Sequence, residues 1–222
     1  QVDYSVQKEI SADDRADAIF TVETFQLSAP PSPGFTLTPS ASPLNLTEGS
    51  TGTVGVVLNK QPSSNVVISI TLAGTLSGRA SLSTSTLTFT NANWNVQQSV
   101  TVTATPDNID NDNATGNITF SIVDASSDDE YDPLADQTVA LTVVDNNTAG
   151  FTLTPSASPL NIDEGATGTI SVVLTSKPAS GNVVIDISSA LPANRLELNK
   201  TSMTFTTDTW NSAQVVTVTA KP

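Results

Sequence analysis

Short stretches of the chain alternate between apolar and polar residues, which is the pattern of β-strands that bury one face. Clusters of Gly, Pro, Ser and Asn separate these stretches, and none shows the 3.6-residue period of an amphipathic helix. The pattern therefore predicts an all-β fold with many short strands. The strands predicted before residue 150 are Phe35–Thr38, Thr53–Leu58, Asn65–Leu72, Ser85–Thr90, Gln98–Thr105, Asn117–Val123 and Gln137–Val144.

The chain contains an internal repeat. Residues 34–106 and 150–222 match at about 40 of 73 positions, at a period of 116 residues. Seven or eight short strands in about 116 residues, with turn signals between them, are typical of a β-sandwich. We therefore predict tandem immunoglobulin-like sandwiches, with one complete repeat over 34–149 and the first part of a second over 150–222.

Residues 1–33 form a two-strand segment in this interpretation. Val2–Ile10 and Ala18–Leu27 are strand-like, and an acidic loop separates them. The order of strand, acidic loop, strand and linker is that of the second half of the complete repeat. One hypothesis is that this segment completes the second repeat of another subunit, which would build a head-to-tail filament. The alternative is that the sequence is a window from a longer repeat array.

The amino-acid composition argues against several classes of function. The chain has no Cys and no His, so thiol chemistry, Ser-His-Asp triads and most transition-metal sites are excluded, and we expect no enzyme activity. The net charge of −14 would repel nucleic acid. No apolar run approaches the 18 residues of a membrane span, so we expect no membrane insertion. An acidic chain rich in Thr and Ser fits a secreted or cell-surface protein.

Acidic residues concentrate where basic ones are missing. No Lys or Arg lies between residues 80 and 176, and the loop at 107–113 reads Asp-Asn-Ile-Asp-Asn-Asp-Asn. Ca²⁺ binds six to eight such oxygen ligands from a flexible loop, whereas Mg²⁺ demands stricter geometry, so calcium is the expected cofactor. The alternative is that these acids form turns and a solvated surface. Of the acidic stretches, Asp124–Asp132 fits a merely solvated loop better than the others do.

Several short motifs resemble the Calx-beta-like repeats of large bacterial surface adhesins and, more loosely, other immunoglobulin-type extracellular modules. They are Glu48-Gly49, Glu164-Gly165, Trp94 with Gln98 and the VTVTA run, Pro106-Asp107 with Asp110, Asp128 with Tyr131, and the closing Val143–Asn147. The resemblance implies calcium ligands at Glu48, Asp107, Asp110 and Asp145, with Asp112 as a further candidate. The closing run departs from the family pattern, because it reads Asp-Asn-Asn where several acids are expected.

Residues that recur in both repeats have structural interpretations. Trp94 and Trp210 are predicted to pack against the core, with ligand stacking as the alternative. Arg79 and Arg195 are predicted to form ion pairs or protect strand edges. The sequence as a whole favours a structural element of a surface fibre or adhesin stalk that associates end to end with copies of itself. The rival function is a module that binds surface glycans, and an acid-pair hydrolase is a third.

Overall fold

The structure is a computed structural model that describes residues 31–222, and it consists almost entirely of strands. In the first repeat the strands are β1 (Phe35–Pro39), β2 (Leu44–Thr47), β3 (Thr51–Leu58), β4 (Val66–Leu72), β5 (Ala80–Leu82), β6 (Thr86–Phe89), β7 (Gln98–Ala104), β8 (Ala114–Ile122) and β9 (Gln137–Val144). The second repeat has β10 (Phe151–Pro155), β11 (Thr167–Leu174), β12 (Val183–Asp186), β13 (Leu196–Leu198), β14 (Ser202–Phe205) and β15 (Gln214–Ala220). Short 3₁₀ turns occur at Gly74–Leu76 and Asp124–Ser126.

The first repeat folds as two packed sheets. One has the strand order β1-β3-β7-β5 and is antiparallel throughout; the other has the order β2-β9-β8-β4-β6. All pairs in the second sheet are antiparallel except β2 with β9, which is parallel. The all-β sandwich predicted from the alternating pattern is therefore confirmed.

The core lies between the two sheets. In β7, Val100, Val102 and Ala104 are buried and the intervening Ser and Thr face outward, as period-2 alternation requires. The largest fully buried side chains of the first sandwich include Phe89, Phe120 and Tyr131. Strands β1–β9 contain no charged residue, so every charge of this sandwich lies in the segments that connect its strands. Any site that needs charged side chains must therefore lie in the connecting segments of the sandwich.

Two strands of the first repeat were not predicted. β2 and β5 have only four and three residues, too few for alternation to be distinguished from a loop. The predicted packing role of the tryptophans is confirmed, because Trp94 and Trp210 are partly buried against the cores of their repeats.

The second repeat has the same strand register at its start. Phe35 pairs with Leu58 in the first repeat, and Phe151 pairs with Leu174 in the second. Each residue of the second pair lies 116 positions after its counterpart in the first. Its sheets are smaller: β10-β11-β15-β13 and the two-stranded β12-β14. Both repeats belong to one compact unit, Ser32–Pro222. The strands predicted within residues 1–30 lie outside the described residues. In the part of the chain that is described, no helix is long and apolar enough to span a membrane.

Candidate metal centre

Three acidic side chains meet at one end of the first sandwich. Glu48 directly follows β2, Asp145 directly follows β9, and Asp107 is the third residue after β7. Because β2 and β9 are adjacent and parallel, they deliver the first two carboxylates to the same end. One oxygen from each of the three carboxylates lies within 4.8 Å of the others.

The Glu-Gly pair is fixed by the backbone of both sheets. The Glu48 N–H donates to the Val144 carbonyl over 3.0 Å, and the Gly49 N–H donates to the Ala104 carbonyl over 3.0 Å. Gly49 has φ +80°, a left-handed conformation that a side chain would disfavour. This turn therefore needs glycine after the glutamate, and it holds Glu48 between the two sheets.

A single guanidinium group lies among the three carboxylates. Arg79 Nη2 is 2.7 Å from Glu48 Oε1 and 3.5 Å from Asp145 Oδ1, and Nη1 is 3.8 Å from Asp107 Oδ2. The Glu48 side chain is 0% exposed and that of Arg79 17%. The sequence prediction of an ion-pairing role is therefore confirmed for Arg79, although its partners lie too far along the chain to be named from sequence.

The charges of this cluster are incompletely balanced. Burial raises the pKa of the Glu48 carboxyl, and the negative charges of Asp107 and Asp145 raise it further, while Arg79 and a hydrogen bond from the Asp107 backbone lower it. Two buried atoms, Asp145 Oδ1 and Arg79 Nε, have no hydrogen-bond partner. One guanidinium thus faces three carboxylates.

The donor set suits a hard divalent cation. All three side chains offer carboxylate oxygens, which Ca²⁺ prefers, and the buried Asp145 Oδ1 has an unused lone pair. The Asn147 side-chain amide lies beside these carboxylates. When its nitrogen faces the carboxylates, it donates a hydrogen bond to Glu48 Oε2 over 3.2 Å. When the amide is turned the other way, its oxygen faces the same group and could bind a cation. Arg79 occupies the centre of the group and supplies the positive charge there.

The structure brings together three of the five predicted ligands and places Asp110 and Asp112 outside the group. Asp110 accepts a 2.9 Å hydrogen bond from the Ala149 N–H in the linker to β10, and Asp112 is exposed. Asp107 also forms the turn expected in the alternative interpretation, because its Oδ1 accepts from the Ile109 N–H at 2.7 Å. The acidic loop thus contributes both to the carboxylate group and to turns.

The prediction of a merely solvated loop at Asp124–Asp132 is wrong for two residues. Asp128 is 4% exposed and Tyr131 0%. Asp128 Oδ2 accepts hydrogen bonds from the Ser63 hydroxyl and from the N–H groups of Ser63 and Ser64, and these bonds, with one from Glu130, lower its pKa to about 2. The Tyr131 hydroxyl donates to the Lys60 carbonyl. The pair therefore anchors a loop, and the signal for it was a tyrosine within an acidic run.

The second repeat keeps the turn without the cluster. Gly165 has φ +77° and donates to the Ala220 carbonyl, as Gly49 does to that of Ala104. Glu164 and Arg195 are exposed, however, and Glu164 belongs to no group of metal-ligating side chains among the described residues.

A scan against protein-family models finds no match, and a search of curated proteins finds none. Similar solved structures include domains 4–9 of the surface layer protein SbsC, with TM-score 0.32 and 14% identity, covering 86% of this chain and 28% of that one. The E. coli chaperone DraB has TM-score 0.35 and 10% identity, covering 85% of each chain. The chaperone YadV has TM-score 0.34 and 9% identity, covering 82% of this chain and 84% of that one. All three TM-scores are below 0.5, so the sandwich architecture rests on the strand pairing described above, and the Calx-beta resemblance stays a prediction.

Proposed function

We propose that this chain is a non-enzymatic structural element of an extracellular or cell-surface fibre, in which calcium stiffens the joint between sandwiches and copies associate end to end. Tandem modules that mainly contact their neighbours provide length, which is the property a stalk requires. The described strands of the first sandwich have no charge, whereas its loops are strongly acidic. Interactions that depend on charge therefore belong at the ends of the module.

The carboxylate group of Glu48, Asp107 and Asp145 carries the calcium part of the proposal. Its three oxygens converge within 4.8 Å, and one buried oxygen has no hydrogen-bond partner. Asp145 begins the linker to β10, so an ion held there would fix the start of that linker. Neutralising the carboxylates also removes a repulsion that folding creates, so calcium should favour the folded joint.

The absence of enzyme activity is supported by the chemistry of the cluster. The chain has no histidine or cysteine to serve as a base or nucleophile. Glycoside hydrolysis needs two carboxyls on opposite sides of a cleft, at least about 5 Å apart. Here one oxygen from each carboxylate lies within 4.8 Å of the others, and all three carboxylates pair with the Arg79 guanidinium.

The rival function, binding of surface glycans, needs an exposed aromatic face on which a sugar can stack. Trp94 packs against the core of its sandwich, and its carbonyl accepts a hydrogen bond from the Leu58 N–H. A ring committed to the core cannot offer a full face to a sugar. Structural support is therefore the better assignment for this residue.

Thermal unfolding of the full chain tests the calcium proposal. We expect the midpoint in calcium to exceed the midpoint in chelator, and Mg²⁺ at the same concentration to produce a smaller shift. Asp145→Asn should abolish the calcium shift, whereas Asp112→Asn, which changes an exposed aspartate of the same region, should keep it. Equal midpoints with calcium and with chelator would overturn the proposal.

A further inference from the structure

The linker between the two repeats, residues 145–150, is hydrogen-bonded along its whole length. Alternate N–H groups of the linker have acceptors: Asp145 donates to Asn113 Oδ1 over 2.9 Å, Asn147 to Asp145 Oδ2 over 3.1 Å, and Ala149 to Asp110 Oδ2 over 2.9 Å. Two of these acceptors belong to the acidic loop that precedes β8, and none of the three bonds needs a cation. The linker is therefore tied to the first repeat at its beginning and near its end.

The second repeat binds the end of the same linker from the other side. Thr175 directly follows β11, and its hydroxyl donates to the Thr148 carbonyl over 2.7 Å. Its N–H donates to the Gly150 carbonyl over 2.9 Å. Ala149, between these two residues, is bound by Asp110 of the first repeat. Three successive linker residues are thus held by the second repeat, the first and the second again, which restricts rotation of the backbone there.

The acidic loop also contacts the second repeat directly. The Lys177 N–H donates to the Asn108 carbonyl over 2.7 Å, which is a backbone bond between the two repeats. Beside it, Ile109 lines a cavity together with Leu174 and Pro178 of the second repeat. Two bodies joined at a single point can still turn about it, so contacts at several separate points are needed to fix their relative orientation. This loop supplies such contacts.

We propose that residues 108–110 form a clamp that fixes the orientation of the second repeat relative to the first, with Asp110 as its positioning residue. The inference rests on the proposed role of the chain as a stalk, and it names how the joint is held when no calcium is bound. The Asp110 carboxylate lies outside the carboxylate group described above, so the clamp and that group use different side chains. An ion would hold the beginning of the linker at Asp145, whereas the clamp holds its end at Ala149.

The bond from Ala149 to Asp110 contributes to orientation more than to folding. A hydrogen bond to a carboxylate is stronger than one between neutral groups, which favours a defined geometry. Asp110 is exposed, however, so water can replace its oxygen when the side chain is removed. Replacing Asp110 should therefore loosen the joint and leave the free energy of unfolding almost unchanged. This combination distinguishes a positioning residue from one that merely supports the fold.

Distances between spin labels on the two repeats test the clamp in the full chain, which has no cysteine of its own. Thr88→Cys and Thr204→Cys provide the label sites, because both threonines are exposed and hold the same repeat position, on β6 and β14. Pulsed electron paramagnetic resonance in chelator then gives the distribution of distances between the repeats. We expect a single narrow distribution for the otherwise unaltered chain and a broader one for Asp110→Ala, at the same thermal midpoint.

Two matched variants control for the loss of charge and for the loss of the acceptor. Asp112→Ala removes another exposed carboxylate of the same loop, and its distribution should stay narrow. Asp110→Asn removes the charge but keeps a side-chain oxygen that can accept the Ala149 N–H. Its distribution should therefore stay narrower than that of Asp110→Ala.

Each outcome decides the question. Broadening in Asp110→Ala but not in Asp112→Ala, at an unchanged thermal midpoint, supports the clamp. An unchanged width in Asp110→Ala, equal broadening by both alanine variants, or a broad distribution for the unaltered chain in chelator overturns it.

Repeating the measurement in calcium separates this inference from the proposed function. A distribution that is broad in chelator and narrow in calcium would support calcium stiffening and overturn the clamp. A distribution that is narrow in chelator and broadened by Asp110→Ala, in a chain whose thermal midpoint does not respond to calcium, would support the clamp and overturn the calcium proposal.

Discussion

Replacing Arg79 by glutamine removes the one positive charge in the carboxylate cluster. Two unit charges 4.8 Å apart repel by about 3 kcal/mol at an effective dielectric constant of about 20. Glu48 is fully buried and cannot escape its neighbours by reorienting into solvent. Breaking a buried ion pair by removing one partner typically costs about 3–5 kcal/mol. Since the Arg79 side chain is 17% exposed, we expect the lower end, about 3 kcal/mol.

Thermal unfolding in chelator at pH 7 measures this loss. A change of about 3 kcal/mol corresponds to a midpoint lower by about 10 °C for a chain of this size. Arg195→Gln is the matched control, because Arg195 holds the same repeat position but is exposed. Its effect should stay within about 0.5 kcal/mol.

Calcium and pH should each reverse part of the loss. Calcium can take the place of the guanidinium, so the Arg79→Gln variant should gain more stability from calcium than the unaltered chain does. The pKa of Glu48 is already raised by burial, so the folded state binds a proton more readily than the unfolded state. The cost of keeping Glu48 charged therefore falls as the pH drops through this pKa, and the gap between variant and unaltered chain should narrow. An unchanged midpoint in chelator, or equal calcium shifts in both chains, would refute this reasoning.

Three further predictions concern the first sandwich. Asp128→Asn should lower the free energy of unfolding by about 2 kcal/mol at pH 7, because the lowered pKa of about 2 stabilises the fold above pH ~4. Urea titrations should show this loss shrinking towards pH 2. Asp129→Asn is the control, because Asp129 is exposed and its substitution should leave stability unchanged. Gly116→Ala should cost about 3 kcal/mol in the same urea titration, because a Cβ at this position would collide with the Ala73 carbonyl oxygen. Unchanged stability of this variant would contradict the close packing of Gly116 against Ala73. Trp94→Ala should lower the unfolding midpoint by more than about 5 °C and leave glycan-array signals unchanged, whereas loss of a specific glycan signal would favour the rival function.

The strands predicted from sequence were those whose own alternation is long enough to read. β2 is different, because its existence depends on a partner far along the chain. Leu44–Thr47 is a strand paired in parallel with β9, whereas the matching residues 160–163 in the second repeat, where no such partner is described, are not a strand. Pairing therefore decides the state of this segment, and no local pattern could have revealed it.

The sequence predicted that the candidate site consists of carboxylates, but it did not predict correctly which residues supply them. The acidic run and the family resemblance pointed to Glu48, Asp107 and Asp145, which the fold brings together. They also pointed to Asp110, whose carboxylate instead binds the linker at Ala149. Residues in one loop share a sequence pattern but point in different directions. Arg79 is marked in the sequence only by its recurrence in the second repeat, because its three partners come from three other loops.

The distribution of charge bears on the end-to-end association proposed for this chain. The carboxylate cluster lies at one end of the first sandwich, among acidic loops that copies of the chain would bring together in the proposed end-to-end association. Copies with a net charge of −14 repel one another, so salt or divalent cations should accelerate their encounter. Cations should therefore increase the rate at which copies join, and measuring that rate by light scattering at increasing salt would show no change if charge repulsion does not limit the encounter.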